Sequence, residues 1–168
     1  MEKIIHFIDS FTEKIGKISA WLVIPLTLGL VYEVFARYMF HAPTVWAYDL
    51  SYMFCGTLFM MGAAYTLNKG AHVRVDVFYR LFSPRGKATI DACLYIVFFF
   101  PVMFFLIIKG ADYAWYAVQI QERAAVSPWR PFVWPLKLVL PISITVLLIQ
   151  GIAEFLRCLQ VLFGRKTN

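Results

Sequence analysis

Four long apolar runs decide what this chain can fold into. Ile18 to Tyr32 carries no charge and continues through Glu33 and Arg37 to Phe40. Leu50 to Asn68, Ala92 to Ile108 and Leu138 to Ala153 follow, each 16 to 19 residues without a charge. A bilayer core about 30 Å thick takes about 20 helical residues to cross. With 61% hydrophobic and only 15% charged residues, the chain is too apolar for an ordinary soluble domain. The predicted fold is an all-α membrane protein forming a single membrane domain. Its transmembrane helices are expected at 18–40, 46–68, 88–118 and 134–160, after an amphipathic interfacial helix at 1–17.

The first seventeen residues form their own unit. Ile4, Ile8, Phe11 and Ile15 recur at helical steps, and Ile5 and Phe7 widen that face. Glu2, Lys3, Asp9, Glu13, Lys14 and Lys17 make up the charged remainder. A helix lying in the membrane interface and a helix packed on a partner subunit both fit this pattern. No small-x-small cleavage pattern follows the first apolar run, so it is read as a retained span rather than a removed signal.

The net charge of +6 is a topology signal here, and nucleic acid is not an expected partner. Lys3, Lys14, Lys17, Lys69, Arg74, Arg80, Arg85, Lys87, Arg157, Arg165 and Lys166 all fall on one side of a four-span layout. The other side holds Arg37, Arg123 and Arg130, with Lys109 and Lys137 at helix ends near it. The positive-inside rule puts both termini in the cytoplasm. Tryptophan and tyrosine gather near the span ends, where amphipathic rings anchor.

Depth then restricts the chemistry. Every charge in a span falls near a membrane boundary, and an ionisable group at the midplane is the usual mark of an ion or proton path. Glu33 and Arg37, four residues apart, can pair on one helix face. The short turn after them brings Asp49 near, so a three-member ionic cluster is expected at the outer boundary. It serves either to end a helix at the headgroups or to contact another membrane subunit. Thr57, Ser143, Thr145 and Gln150 offer interhelical hydrogen bonds, and Gly56 and Gly62 allow close helix approach. Cys55, Cys93 and Cys158 sit in three different spans without a Cys-x-x-Cys pair. His6, His41 and His72 lie in interfaces or loops, so haem ligation inside a span is not indicated. No ligand cluster suggests a metal. No cofactor is expected.

Near Ser83-Pro84-Arg85-Gly86 a turn is predicted before the third span. Pro101 is expected to kink that span. The connection Glu122 to Phe132, with Pro128 and Pro131, is read as an irregular outer loop.

One ordered set of residues goes further. Arg37-Tyr38-x-Phe40, Pro43-x-x-Trp46-x-x-Asp49, Gly62-Ala63-Ala64-Tyr65 and Gly70-Ala71-His72-Val73-Arg74-Val75-Asp76 occur in sequence. This set resembles the small membrane subunit, DctQ-like, of tripartite ATP-independent periplasmic (TRAP) transporters. Tyr48-Asp49 stands where that family often has a glutamate pair. The resemblance implies a non-enzymatic scaffold in a bacterial inner membrane. Its partners would be a large transmembrane subunit carrying the sodium and substrate sites, a periplasmic protein delivering an organic acid, and membrane lipids. Glu33, Arg37, Trp46, Asp49, His72, Arg74 and Asp76 become structural or partner-contact candidates. His41, Thr44, Gln121, Arg123 and Arg130 become candidates for docking the binding protein. The rival from another class is a self-sufficient four-helix carrier acting as a dimer, with Glu33 as its proton-coupled acid. A membrane anchor or electron-transfer subunit is a third.

Overall fold

The computed structural model describes residues 2–70 and 84–163. The protein is helical, and four of its helices are long and apolar enough to cross a membrane. Helices α1 (Glu2–Ala20) and α2 (Val23–Met39) follow each other closely. Taken together they make a stretch of 38 residues, about 57 Å at 1.5 Å per residue and nearly twice the bilayer core. Pro25 explains why it breaks. Proline has no N–H to offer the Trp21 carbonyl, so the Ile24 amide takes it at 3.1 Å. The Leu22 and Trp21 amides make similar tight bonds to Ser19 and Ile18 at 3.0 and 3.2 Å. The helix direction is released at Trp21–Leu22, and α2 alone makes the first crossing.

Helix α3 (Ala47–Asn68) crosses back. The third crossing begins with α4 (Pro84–Leu94), passes through a π turn at Tyr95–Phe99, and continues as α5 (Phe100–Gln119). The helix therefore already includes Arg85 and Gly86, where a turn was predicted. Pro101 accounts for the π turn. Its ring cannot sit against the carbonyl four residues back, and a wider turn relieves that clash. The Phe100 amide reaches back to the Tyr95 carbonyl instead. Tyr95, Phe99, Phe100 and Phe155 close around the turn as an edge-to-face aromatic cluster.

Helix α6 (Trp134–Leu162) is the centre of the fold. Of its most apolar window 39% is buried, against 11% for α3 and 6% for the α4–α5 crossing. The substantial pairings are α2 with α3, α3 with α6, and α6 with α4 and α5. Helices α2 and α5, the ends of this series, do not pack substantially on each other. The four crossings thus form an open row rather than a closed bundle. Close approach in the row comes from small residues. A Cβ added at Gly151 would meet the Phe99 ring at 2.1 Å, and one at Gly110 would touch Leu140 at 3.5 Å. A Cβ added at Gly56 would touch Leu136 at 3.4 Å, whereas one at Gly62 would meet nothing within 4 Å. Thr57, Ser143 and Thr145 bond carbonyls of their own helices; Gln150 alone of the four predicted polar residues bonds another helix.

Helix α1 runs across the row instead of along it. Gly16 meets Tyr65 of α3, and Glu13 and Asp9 reach Lys69 and Asn68. Farther toward its start, Ile5 and Ile8 pack with Ile149, Ala153 and Leu156 of α6. Helix α1 therefore bridges the Tyr65–Lys69 end of α3 and the Ile149–Arg157 end of α6. The charges set the scale of the row. Asp49 and Lys69, and Lys137 and Arg157, are each separated by about 20 helical residues, about 30 Å, which matches one bilayer core.

Candidate functional site

Polar side chains concentrate at the two ends of the row. At the end where α1 crosses, Asp9 is the hub. It accepts a hydrogen bond from the Gln150 amide at 3.0 Å and one from the Arg157 guanidinium. Arg157 also pairs with Glu154, one turn back on α6. The Asn68 amide donates to the Asp9 backbone carbonyl at 3.1 Å. One aspartate thereby ties α1 to both α3 and α6. Charge-assisted bonds contribute roughly 1.5–3 kcal/mol each when well desolvated; Asp9 and Arg157 are part-exposed, so less applies here.

A second clasp sits one turn on. Glu13 accepts from Lys17 at 2.8 Å and from Lys69 at 3.2 Å. These two bonds, Lys17's first, hold the Glu13 carboxyl below its ordinary value of 4.5. The same pairing holds the Lys17 ammonium above its ordinary 10.5. Sequence reading missed this junction. The signal was present: Asp9 follows Ile8 and lies four residues after Ile5, so a carboxylate sits beside the packed face of α1 and needs a partner there.

At the opposite end Glu33 closes the turn between α2 and α3. It accepts from Arg37 Nε and from the Thr44 amide, both at 2.9 Å, and from the Thr44 hydroxyl. His41, with a left-handed φ of 51°, lets the Ala42 amide turn back onto the Ala36 carbonyl at 3.0 Å. Trp46 stacks on Tyr32 with ring centres 5.6 Å apart. The predicted three-member ionic cluster is not formed. Asp49, only 8% exposed, accepts instead from the Ser127 hydroxyl, which in turn accepts from the Trp129 amide at 3.2 Å. The reason is geometric: Glu33 already occupies Arg37, while the 121–133 connection folds over the start of α3.

That connection is a loop without helix or strand, as expected, and it is tied together by its own hydrogen bonds. Helix α5 ends with Gln121 left-handed at φ 48°, its amide on the Val118 carbonyl and the Glu122 amide on the Ala117 carbonyl. This is a Schellman cap. The chain then doubles back: the Ala124 amide bonds the Pro131 carbonyl and the Val133 amide the Glu122 carbonyl, both at 2.9 Å. Arg123 and Phe132 face each other in an isolated bridge, with the guanidinium 4.1 Å from the ring centre. Lys137 anchors the base, 2.5 Å from Glu122 and 3.9 Å from the Tyr113 ring centre. A cleft of about 610 Å³ lies between this hairpin and the start of α3.

The docking candidates thus differ in what they do locally. Thr44 is engaged by Glu33, Arg123 by Phe132, and the Gln121 amide bonds its own helix at Val118. His41 and Arg130 are exposed at left-handed positions in turns. Candidates His72, Arg74 and Asp76 lie outside the described residues. Among the described residues no group of three histidine, cysteine or acidic side chains could hold a metal ion.

An open row of membrane helices, with its described ion pairs at the two ends, defines a multi-pass helical membrane protein. Residues 26–161 match the family described as the DctQ component of tripartite ATP-independent periplasmic transporters, and the chain belongs to that family. It is a small membrane component of a TRAP transporter. Among curated proteins no relative matches it.

Proposed function

We propose that this chain is the non-catalytic scaffold subunit of a sodium-coupled secondary transporter. The transporter would import an organic acid delivered by a periplasmic binding protein, and a large membrane subunit would carry the sodium and substrate sites. The observation that carries this reading is the placement of charge. The charged groups of the described helices lie toward the two ends of the row, and several of them are paired within the chain. Glu33, which a self-sufficient proton-coupled carrier would use, already accepts from Arg37 and Thr44.

The reading includes an inner-membrane location with both termini cytoplasmic, supported by the bias of Lys and Arg toward the end where α1 crosses. Glu33, Arg37, Trp46 and Asp49 act in it as struts that shape the outer face. His72, Arg74 and Asp76 are proposed partner contacts on the inner side. His41, Thr44, Gln121, Arg123 and Arg130 are proposed to frame the surface that meets the binding protein.

Two measurements test this. The chain purified alone into liposomes is expected to show no sodium-driven solute uptake, while the complex recovered with a large multi-span partner shows it. Uptake by the isolated chain would end the scaffold reading. Arg123→Glu with Arg130→Glu is expected to slow uptake while leaving the complex intact; unchanged kinetics would remove the docking assignment.

A further inference from the structure

Helix α1 has three faces, and two of them are engaged among the described residues. Ile5, Ile8, Thr12 and Ser19 are buried against the row. Ile4, Phe7, Phe11 and Ile18, at steps of three, four and seven, form a second apolar ridge. They are 58%, 72%, 42% and 70% exposed, so this ridge is left open among the described residues. Helical geometry places Glu2, Asp9 and Glu13 on the far side of the helix from it.

The charges around the ridge are asymmetric. Lys3 lies four residues before Phe7, and Lys14 lies between Phe11 and Ile18, three and four residues from them. Both lysines therefore flank the ridge on the side away from the packed face. Both are exposed, and neither forms an ion pair among the described residues. Acids that would offset them are engaged elsewhere: Asp9 by Arg157 and Gln150, Glu13 by Lys17 and Lys69.

We infer that α1 is a binding surface for acidic phospholipid headgroups, with the Ile4–Phe7–Phe11–Ile18 ridge set among acyl chains and Lys3 and Lys14 holding the phosphates. Two features fix the occupant. The contacts of α1, from Ile5 to Gly16, fall at the Tyr65–Lys69 end of α3 and the Ile149–Arg157 end of α6, which places the helix at one membrane boundary. An apolar ridge flanked by lysines, with acids turned away, complements an anionic lipid surface. Long lysine stems let the ammonium groups rise to phosphate level while their methylenes cover the ridge. This inference rests on α1 lying at a membrane face and not on the transport reading.

The test uses the full chain. Native mass spectrometry of protein from micelles containing phosphatidylglycerol and phosphatidylcholine reads which lipid is retained. The parent is expected to prefer phosphatidylglycerol. Each lysine near an anionic surface contributes about fivefold in binding, so Lys3→Gln with Lys14→Gln should weaken the strongest phosphatidylglycerol binding by about 30-fold. Glu2→Gln, on the far side, should leave it unchanged. A spin label at Phe7→Cys, with Cys55, Cys93 and Cys158 replaced by Ala, should lie below the phosphates in vesicles. It should stay there when a co-purified large membrane subunit is present. An unaltered lipid preference in the double-lysine variant overturns the inference. So does a label shielded from lipid only when that subunit is bound, which would make the ridge a protein interface.

Discussion

Replacing Gly16 by Ala sets two known effects against each other. Alanine in a helix interior is better than glycine by roughly 0.5–1 kcal/mol. If α1 were merely tethered to the membrane, Gly16→Ala would stabilise it. In the structure the new Cβ would stand 2.6 Å from Tyr65 Cβ and Cγ and 2.7 Å from Cδ2. Ordinary carbon contacts are about 3.5–4 Å, so the helices must separate by about 1 Å. Rotating Tyr65 gives no relief, because its Cβ is fixed to the α3 backbone. Overpacking of this kind costs about 1–3 kcal/mol. Lifting α1 also stretches the 3.1 Å bond from Asn68 to the Asp9 carbonyl, worth about 1 kcal/mol. The Glu13–Lys69 pair loosens with it, but as an exposed pair it adds little. The clash outweighs the propensity gain, leaving a net loss of about 1–3 kcal/mol. Thermal unfolding in mild detergent should show a midpoint several degrees lower, at roughly 2–4 °C per kcal/mol for a chain of this size. Amide exchange should rise across Ile5 to Ser19. Gly62→Ala is the control, since its Cβ meets nothing within 4 Å, and it should be neutral or mildly stabilising. A Gly16→Ala protein as stable as the parent, with α1 equally protected, would refute the reasoning.

Three further outcomes are expected. Asp9→Asn and Arg157→Gln should couple in a double-mutant cycle by about 1–2 kcal/mol, read from unfolding midpoints; additive effects would remove the bond between them. Gln121→Val should destabilise by about 1–2 kcal/mol, because a β-branched residue is forced left-handed, whereas Gln121→Gly should stay near neutral. The attachment of α1 should depend on pH at both ends of the scale. The lowered Glu13 value makes its contribution present above 4.5 and lost as pH falls through the folded value. The raised Lys17 value makes its share present below 10.5 and lost as pH climbs through the folded value. Glu13→Gln should flatten the acid limb of amide protection in α1.

The crossings were legible because a span is written in one variable, a long run without charge. The amphipathic start was legible for a similar reason, since a helical period shows in a short window. Pairings between distant helices were not. Asp49 sits 12 residues from Arg37 in sequence, yet its partner is Ser127 in the loop before α6. Glycine was equally opaque: Gly16 and Gly62 look alike on the page, but a Cβ at the first would run into Tyr65 and one at the second would meet nothing within 4 Å. The helix before Pro101 showed a break without showing its form, because a kink and a π turn both answer the same missing N–H.

Helix α2 shows what an open row asks of its edges. Its substantial packing is on α3 alone, and Ala36 is its one buried residue. Lipid tails are as apolar as leucine, so burial of side chains between helices supplies little force inside the membrane. What fixes α2 is at its ends. Glu33 grips Thr44 and Tyr32 stacks on Trp46 at one end, while the tight Trp21–Leu22 turn joins it to the anchored α1 at the other. Between them Leu28 and Phe35 stay exposed, and Gly29 has no atom within 4 Å of its Cβ position. Such a helix is positioned like a rung, set by its joints and open along its length. A row built this way holds apolar surface between two polar rims. That arrangement suits the scaffold role proposed for this chain.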